Sequence, residues 1–246
     1  MSLFDAQAVG RSIAGHDAVV NLATHIPHSG AGMFLPGAWR ENDRIRRDAS
    51  RILVEAAIAH DVPRFMQESF AMMSDDAGEA WIDETGTIRP ARYNRSSVDA
   101  ERSAERLTRS GRTGIVLRFA GLYGPDSPHA LELIGQVRKG RVFLPGAPEA
   151  YFSSVTNDDA AAAVVAALHL PAGIYNVSDD EPLRRRALAD AMALAVGVAP
   201  PRLAPAWVTA LGGSLARLMA RSLRISNHTL REAAGRRPRS PSAREG

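Results

Sequence analysis

An α/β fold, built on a partial doubly wound parallel sheet with a small, mainly helical C-terminal lobe, is predicted by three features of this 246-residue sequence. Short β-prone apolar runs alternate with helical periodicity over residues 18–119, the pattern of parallel strands joined by crossover helices. Beyond Gly124-Pro125 the strand-like runs shorten and helical ones dominate. The 45% hydrophobic content is enough for one large domain or a domain plus a lobe.

Ala18 to Ala23 follows Gly15-His16-Asp17 and reads as a buried parallel strand ending in a polar loop. Ser29 to Gly37 reads as loop, because Gly30, Gly32 and Gly37 are too loosely spaced for a phosphate cradle. Trp39 to His60 reads as a long helix, with Ile45, Ala49, Ile52, Leu53 and Ala56 at helical spacing. A strand over Val62 to Ser69, a helix over Ser96 to Ser110 and a strand over Gly114 to Phe119 complete the alternating unit. A helix over Leu131 to Arg138, a strand over Tyr151 to Val155, an alanine-rich helix over Asp158 to Leu168 and a strand over Ile174 to Val177 follow. Helices are expected at Arg185 to Val196, Pro205 to Arg221 and Ser226 to Ala234, and a frayed tail over Pro238 to Gly246.

Zero cysteines exclude disulfides and thiolate chemistry. The first ten residues lack the basic start and apolar run of a signal peptide, and Ala204 to Leu223 carries Arg217 and Arg221, so no membrane span is expected. A cytoplasmic location fits this composition. The formal charge is only +3, and the arginine runs Arg44-Ile45-Arg46-Arg47, Arg184-Arg185-Arg186 and Arg236-Arg237-Pro238-Arg239 lack interleaved aromatics. They read as solvated helix faces, not as a nucleic-acid surface. His25 and His28 flank Pro27 with no third ligand nearby, so no metal site is expected, and no Gly-x-Ser-x-Gly elbow marks a hydrolase.

Several strings, in order along nearly the whole chain, resemble the extended short-chain dehydrogenase/reductase family of NAD-dependent epimerases and dehydratases. Asp17-Ala18-Val19-Val20-Asn21-Leu22-Ala23 is similar to its fourth strand and Asn-Leu-Ala turn, and Arg118-Phe119-Ala120-Gly121-Leu122-Tyr123-Gly124-Pro125 to its Tyr-Gly-Pro signature. Ser153-Ser154-Val155-Thr156-Asn157-Asp158-Asp159-Ala160 resembles its Asp-Asp-x-Ala helix start, where Asp158 or Asp159 could cap the exposed amides. Gly173-Ile174-Tyr175-Asn176-Val177 and Arg224-Ile225-Ser226-Asn227 fit as well. The resemblance implies an incomplete Rossmann-like NAD(P)-binding domain over 1–125, a substrate lobe over 126–237 with strands returning to the main domain, and a flexible tail over 238–246.

The family's opening strand, Gly-rich turn and helix have no counterpart here, so NAD or NADP binding by this chain is expected to be weak or absent. Ser2-Leu3-Phe4-Asp5 resembles the end of a third strand, which favours a start inside a longer reading frame over a cut protein or an edge covered by a partner. The Ala18–Ala23 strand is then left with an open edge, and self-association through it is expected.

Tyr93-Asn94-Arg95-Ser96-Ser97, followed by Glu101, has the frame of the family's tyrosine-lysine motif with Ser97 where lysine belongs. A phenol of ordinary pKa about 10 is roughly one part in a thousand ionised at pH 7, so a tyrosine acid/base needs a nearby cation. Serine supplies none, and Lys139 is the sole lysine among thirty basic residues. Arg95, two residues after Tyr93, points away from the Ser97 direction on a helix.

The resemblance implies Tyr93 as general acid/base and Ser69 as the substrate-touching hydroxyl, although the family register puts that hydroxyl at Phe70; Ser74 and Ser96 are the alternatives. It further implies cofactor contacts at Asn21, Leu22, Ala23, Thr24, Ser97, Ala120, Gly121 and Leu122, and a structural, paired Arg118. The expected function is hydride transfer to or from a nucleotide sugar or similar hydroxyl/carbonyl substrate. A catalytically weakened relative working as a ligand-sensing or protein-binding module is the alternative, with Ser97→Lys as the variant that separates them.

Overall fold

A computed structural model describes residues 1–27, 32–35 and 37–245. His28 of the His-x-x-His pair, Ser29 and Gly30 of the expected loop, and the final Gly246 lie outside the described residues.

The chain opens with a helix that the sequence reading left unassigned, α1 (Ala6–Ile13), whose first turn is capped by the Asp5 carboxylate accepting from the Ala8 amide at 3.0 Å. Strand β1 (Val19–Asn21) follows. The expected long helix is present in three pieces, α2 (Arg40–Arg44), a π-turn over Ile45–Ala49, and α3 (Ser50–Ala59). Next come β2 (Arg64–Phe70), β3 (Trp81–Ile82), α4 (Arg95–Arg109), β4 (Thr113–Phe119) and β5 (Gly121–Tyr123). The lobe adds α5 (Pro128–Arg138), β6 (Arg141–Val142), β7 (Tyr151–Phe152) and β8 (Ser154–Thr156), followed by α6 (Asn157–Ala167) and β9 (Gly173–Val177). It closes with β10 (Leu183–Arg184), α7 (Arg185–Ala195), β11 (Arg202–Leu203), α8 (Ala206–Leu211), α9 (Gly213–Met219), β12 (Arg224–Ile225) and α10 (His228–Ala234).

Four strands form one parallel sheet in the order β1-β2-β4-β9. Both of its faces are covered, as the apolar runs predict. On β2, Phe65 packs into the cluster with α1 and α3 while its neighbour Met66 packs into the opposite one with α6. Each such fully buried side chain contributes about 1.5–3 kcal/mol relative to exposure. Helix α4 lies so close to β4 that a Cβ on Gly114 would collide with the Ala104 carbonyl oxygen. Strand β1 is an edge strand in this sheet, with Val20 partly exposed.

Around this sheet the lobe is stitched by short pairs: β5 with β8, β7 with β10, β6 with β11 and β12 with β3. Its own core gathers Val137, Val142, Leu144, Leu183 and Leu188. The single helix expected over Pro205 to Arg221 is broken at Gly212-Gly213, where Gly213 takes a left-handed φ of 65°. Among the described residues no helix is long and apolar enough to cross a membrane.

Two expectations are corrected here. The Thr156 hydroxyl, not an aspartate, caps α6 by accepting from the Asp159 amide at 3.1 Å. The Asp159 carboxylate instead accepts from the amides of Arg239 and Ser240 at 2.8 and 3.0 Å, and so holds a tail that its composition predicts to be free. Pro241 accepts from the Glu181 amide at 2.9 Å, Ser242 is fully buried, and Ala243 packs into the lobe core. Residues 238–245 therefore strap the lobe to the sheet domain.

Candidate active site

Because all four strands run the same way, their carboxyl ends at Asn21, Phe70, Phe119 and Val177 share one edge of the sheet, where a ligand crevice forms in such folds. Asn21 is buried and does not face that crevice with its side chain. Its amide donates to Ser50 Oγ at 3.2 Å and Gln67 Oε1 at 3.0 Å, and its Oδ1 accepts from the Ala23 amide at 3.3 Å. The result is a fixed turn that leaves Leu22 47% exposed and Thr24 open to solvent. Past β4, Ala120 is buried, while Leu122 is 50% exposed. Gly121 lies against Phe152, whose ring a Cβ at that position would meet at 2.7 Å.

Ser97 is fully buried at the first turn of α4. Its hydroxyl accepts a 2.8 Å hydrogen bond from Nη1 of Arg46, which comes from the π-turn and is only 2% exposed. The same guanidinium donates through Nη2 to Glu68 Oε1 at 2.5 Å. Burial pushes the Glu68 carboxyl above the ordinary carboxylate range, and the Arg46 charge pulls the other way. Of the arginines expected on solvated faces, Arg46 is thus buried and paired. Arg185 is buried too, capping carbonyls of Met219 and Arg221 at 2.7 and 2.9 Å.

One residue along β2, Ser69 is also fully buried and donates to Glu101 Oε1 at 2.6 Å. Glu101 is held in turn by a two-pronged ion pair with Arg118, Nε to Oε1 and Nη2 to Oε2, both 2.8 Å. Arg118 is structural, as the sequence reading holds. Ser96 donates to Asp43 at 2.7 Å. The hydroxyls of Ser69, Ser96 and Ser97 are therefore all committed inside the protein.

Tyr93 stands apart from this network. Helix α4 begins at Arg95, and its cap Asn94 has φ −126° and ψ 13°, so Tyr93 and Ser97 do not share a helical face. The phenol turns instead to the lobe, where its oxygen lies 2.8 Å from Ser214 Oγ of α9, and its ring centroid is 6.1 Å from that of Trp39. The structure thus brings Ser97 together with Arg46 and Glu68, and Tyr93 together with Ser214. Sequence reasoning missed both new partners. A signal existed for Arg46, which continues the buried line of Asn42, Ser50, Leu53 and Ala57 along one helix side. None existed for Ser214, 121 residues away.

A second buried polar group lies behind β5. Asp179 accepts from Ser154 at 2.9 Å, keeps Oδ1 without a partner, and is pushed up to about 7 by burial and by the nearby Asp159 and Asp180. The buried Tyr123 hydroxyl has no partner among the described residues and is pushed upward by burial and by the Asp179 and Asp159 carboxylates. Among the described residues no cluster of three His, Cys, Asp or Glu could hold a metal.

Leu22, beyond the end of β1, and Leu122, on β5 just past β4, both leave apolar surface exposed, and Thr24 is exposed close to Leu22 in the chain.

No family model matches the chain. A 3-diazoavenalumate denitrifying reductase from a Streptomyces species is 31% identical over 220 residues, covering 86% of this chain and 72% of that protein. Among solved structures, a dTDP-glucose 4,6-dehydratase from Streptomyces venezuelae with NAD bound superposes with a TM-score of 0.77 at 20% identity, over 100% of this chain and 75% of the other. A UDP-glucose 4-epimerase from Thermotoga maritima gives 0.76 at 20% identity, over 100% and 80%. The Thermus thermophilus UDP-glucose 4-epimerase in complex with NAD gives 0.72 at 23% identity, over 100% and 80%.

Proposed function

The chain belongs to the extended short-chain dehydrogenase/reductase family, and from that premise we propose that it is a nicotinamide-dependent reductase whose acceptor takes hydride without an activated tyrosine. The observation that carries this reading is Arg46. The motif cation is replaced by a guanidinium that is buried, bound to Ser97 and balanced by Glu68, so it is not presented to a ligand. Positioned proton transfer contributes roughly 10²–10⁴ in rate. A site that has given up this device suits an acceptor that needs no proton.

An arene carrying a diazonium group is such an acceptor, and the 31% identical relative is named for a diazo compound. When bound beside Leu22 to Thr24 and Ala120 to Leu122, a reduced nicotinamide would supply the hydride. In the arene the C–N bond breaks with its electron pair leaving in N₂, a C–H bond forms with the hydride pair, and no proton enters. Leu22 and Leu122 offer apolar surface to flat rings, and Tyr93 offers a hydroxyl to the acceptor's polar end.

The superposed nucleotide-sugar dehydratase and epimerases are 23% identical or less to this chain, and likeness at that level speaks for the fold alone. The test is direct. Purified protein is given NADH or NADPH with an aryl diazonium acid, or NAD⁺ with UDP-glucose, each cofactor in large enough excess to offset weak binding, and cofactor oxidation, N₂ release and sugar epimerisation are followed. The reading expects diazonium-dependent oxidation with N₂ in equal amount. Epimerised sugar without N₂ would reinstate a sugar enzyme, and no turnover of either would favour a binding module.

A further inference from the structure

We infer that Ser214 is a substrate-binding residue: together with Tyr93 it forms a two-hydroxyl clamp for an anionic oxygen of the acceptor, a carboxylate or phenolate. The inference rests on the reductase reading for the identity of the acceptor, and on separate geometry for the site. The hydroxyls of Ser69, Ser96 and Ser97 are already spent. Ser69 serves Glu101, Ser96 serves Asp43, and Ser97 is occupied by Arg46. The Tyr93–Ser214 pair, in contrast, remains solvent-accessible. Its two O–H groups need only one proton for their mutual 2.8 Å bond, which leaves one O–H free to donate outward. A donor of this kind is worth most to a charged oxygen.

The pair is also built to hold its place across the two parts of the molecule. Leu215, Ala216 and Leu218 bury the inner side of α9, and the Gly212-Gly213 break sets the direction in which its first turn leaves α8. On the other side Trp39 packs on Tyr93 and is itself tied by its indole N–H to the Met33 carbonyl at 2.9 Å. One hydroxyl thus comes from the sheet domain and one from the lobe, so an acceptor bound to both is fixed relative to the strand ends.

The experiment compares Ser214→Ala, Ser214→Thr, Tyr93→Phe and the Ser214→Ala/Tyr93→Phe double variant on two diazonium arenes, one with a carboxylate and one without. For the carboxylated arene, Ser214→Ala is expected to raise KM about tenfold, the size of one lost hydrogen bond, with kcat within about twofold. Ser214→Thr should restore KM, the double variant should be worse than either single one, and the carboxylate-free arene should not distinguish them. An unchanged KM in Ser214→Ala, or equal losses on both arenes, overturns the inference. Should the parent turn over neither arene, the reductase reading fails, and calorimetric titration of the nitrogen-free arene acid decides the clamp by itself. About tenfold weaker binding to Ser214→Ala supports it; equal binding, or none to the parent, overturns it.

Discussion

Arg46 donates a 2.8 Å hydrogen bond to Ser97, the residue that stands where the family frame carries its lysine. The positive charge has moved from the motif helix to the π-turn and has gone below the surface. A lysine restored at position 97 would therefore meet a resident cation. Ser97→Lys alone should destabilise the fold by on the order of 3–5 kcal/mol, the cost of a buried unpaired charge, without raising turnover. Adding Arg46→Met should recover much of that loss. Urea unfolding of the parent, both single variants and the double variant measures the coupling.

Ser69 is placed as a structural partner of Glu101, fully buried at the end of β2. Ser69→Ala should lower stability by about 1–3 kcal/mol, since Glu101 loses a buried donor. Its kinetic constants should stay within a few-fold of the parent. A loss of kcat by a factor of about 10³ with unchanged stability would return Ser69 to the reacting centre.

Asp179 gives the fold a pH dependence of defined sign. Its carboxyl is carried by burial from 3.8 up to about 7, so the folded state holds a proton that the unfolded chain has released. The associated stability is fully present below about pH 4 and is lost as pH rises through about 7, on the order of 4 kcal/mol across that window. Asp159 acts the other way. Burial would raise it, but the amides of Arg239 and Ser240 and the Thr156 hydroxyl together hold it below its ordinary value, so its contribution is lost only in more acid solution. Asp179→Asn should flatten the fall in melting temperature between pH 5 and 8.

The strap over residues 238–245 is expected to bear on stability. Asp159→Ala removes the acceptor of two tail amides and should cost about 1–3 kcal/mol while raising hydrogen exchange at Arg239 and Ser240. Slow exchange at those amides in the variant would show that the tail is held by something else.

The sheet was legible because parallel strands buried on both faces leave apolar runs that no solvated segment carries, as Phe65 and Met66 illustrate on β2. Helix α1 escaped notice because so short a segment offers little periodicity, and its cap Asp5 falls in a string that resembles a strand end. At the site, Tyr93 and Ser97 could be located by motif spacing, but their partners could not. A run of four residues with three arginines looks solvated by composition, and only helical phase reveals that Arg46 alone turns inward. The bond from Tyr93 to Ser214 depends on how the lobe folds back over 121 residues, and no local pattern encodes that.

The most direct test of a reductase that works without a tyrosine-lysine dyad is Tyr93→Phe assayed with a reduced nicotinamide and an aryl diazonium acid. The account predicts N₂ release with kcat within about tenfold of the parent, the loss falling on KM. A fall in kcat of about 10³ or more, with KM unchanged, would mean that the phenol moves a proton in the reaction, and would contradict the account.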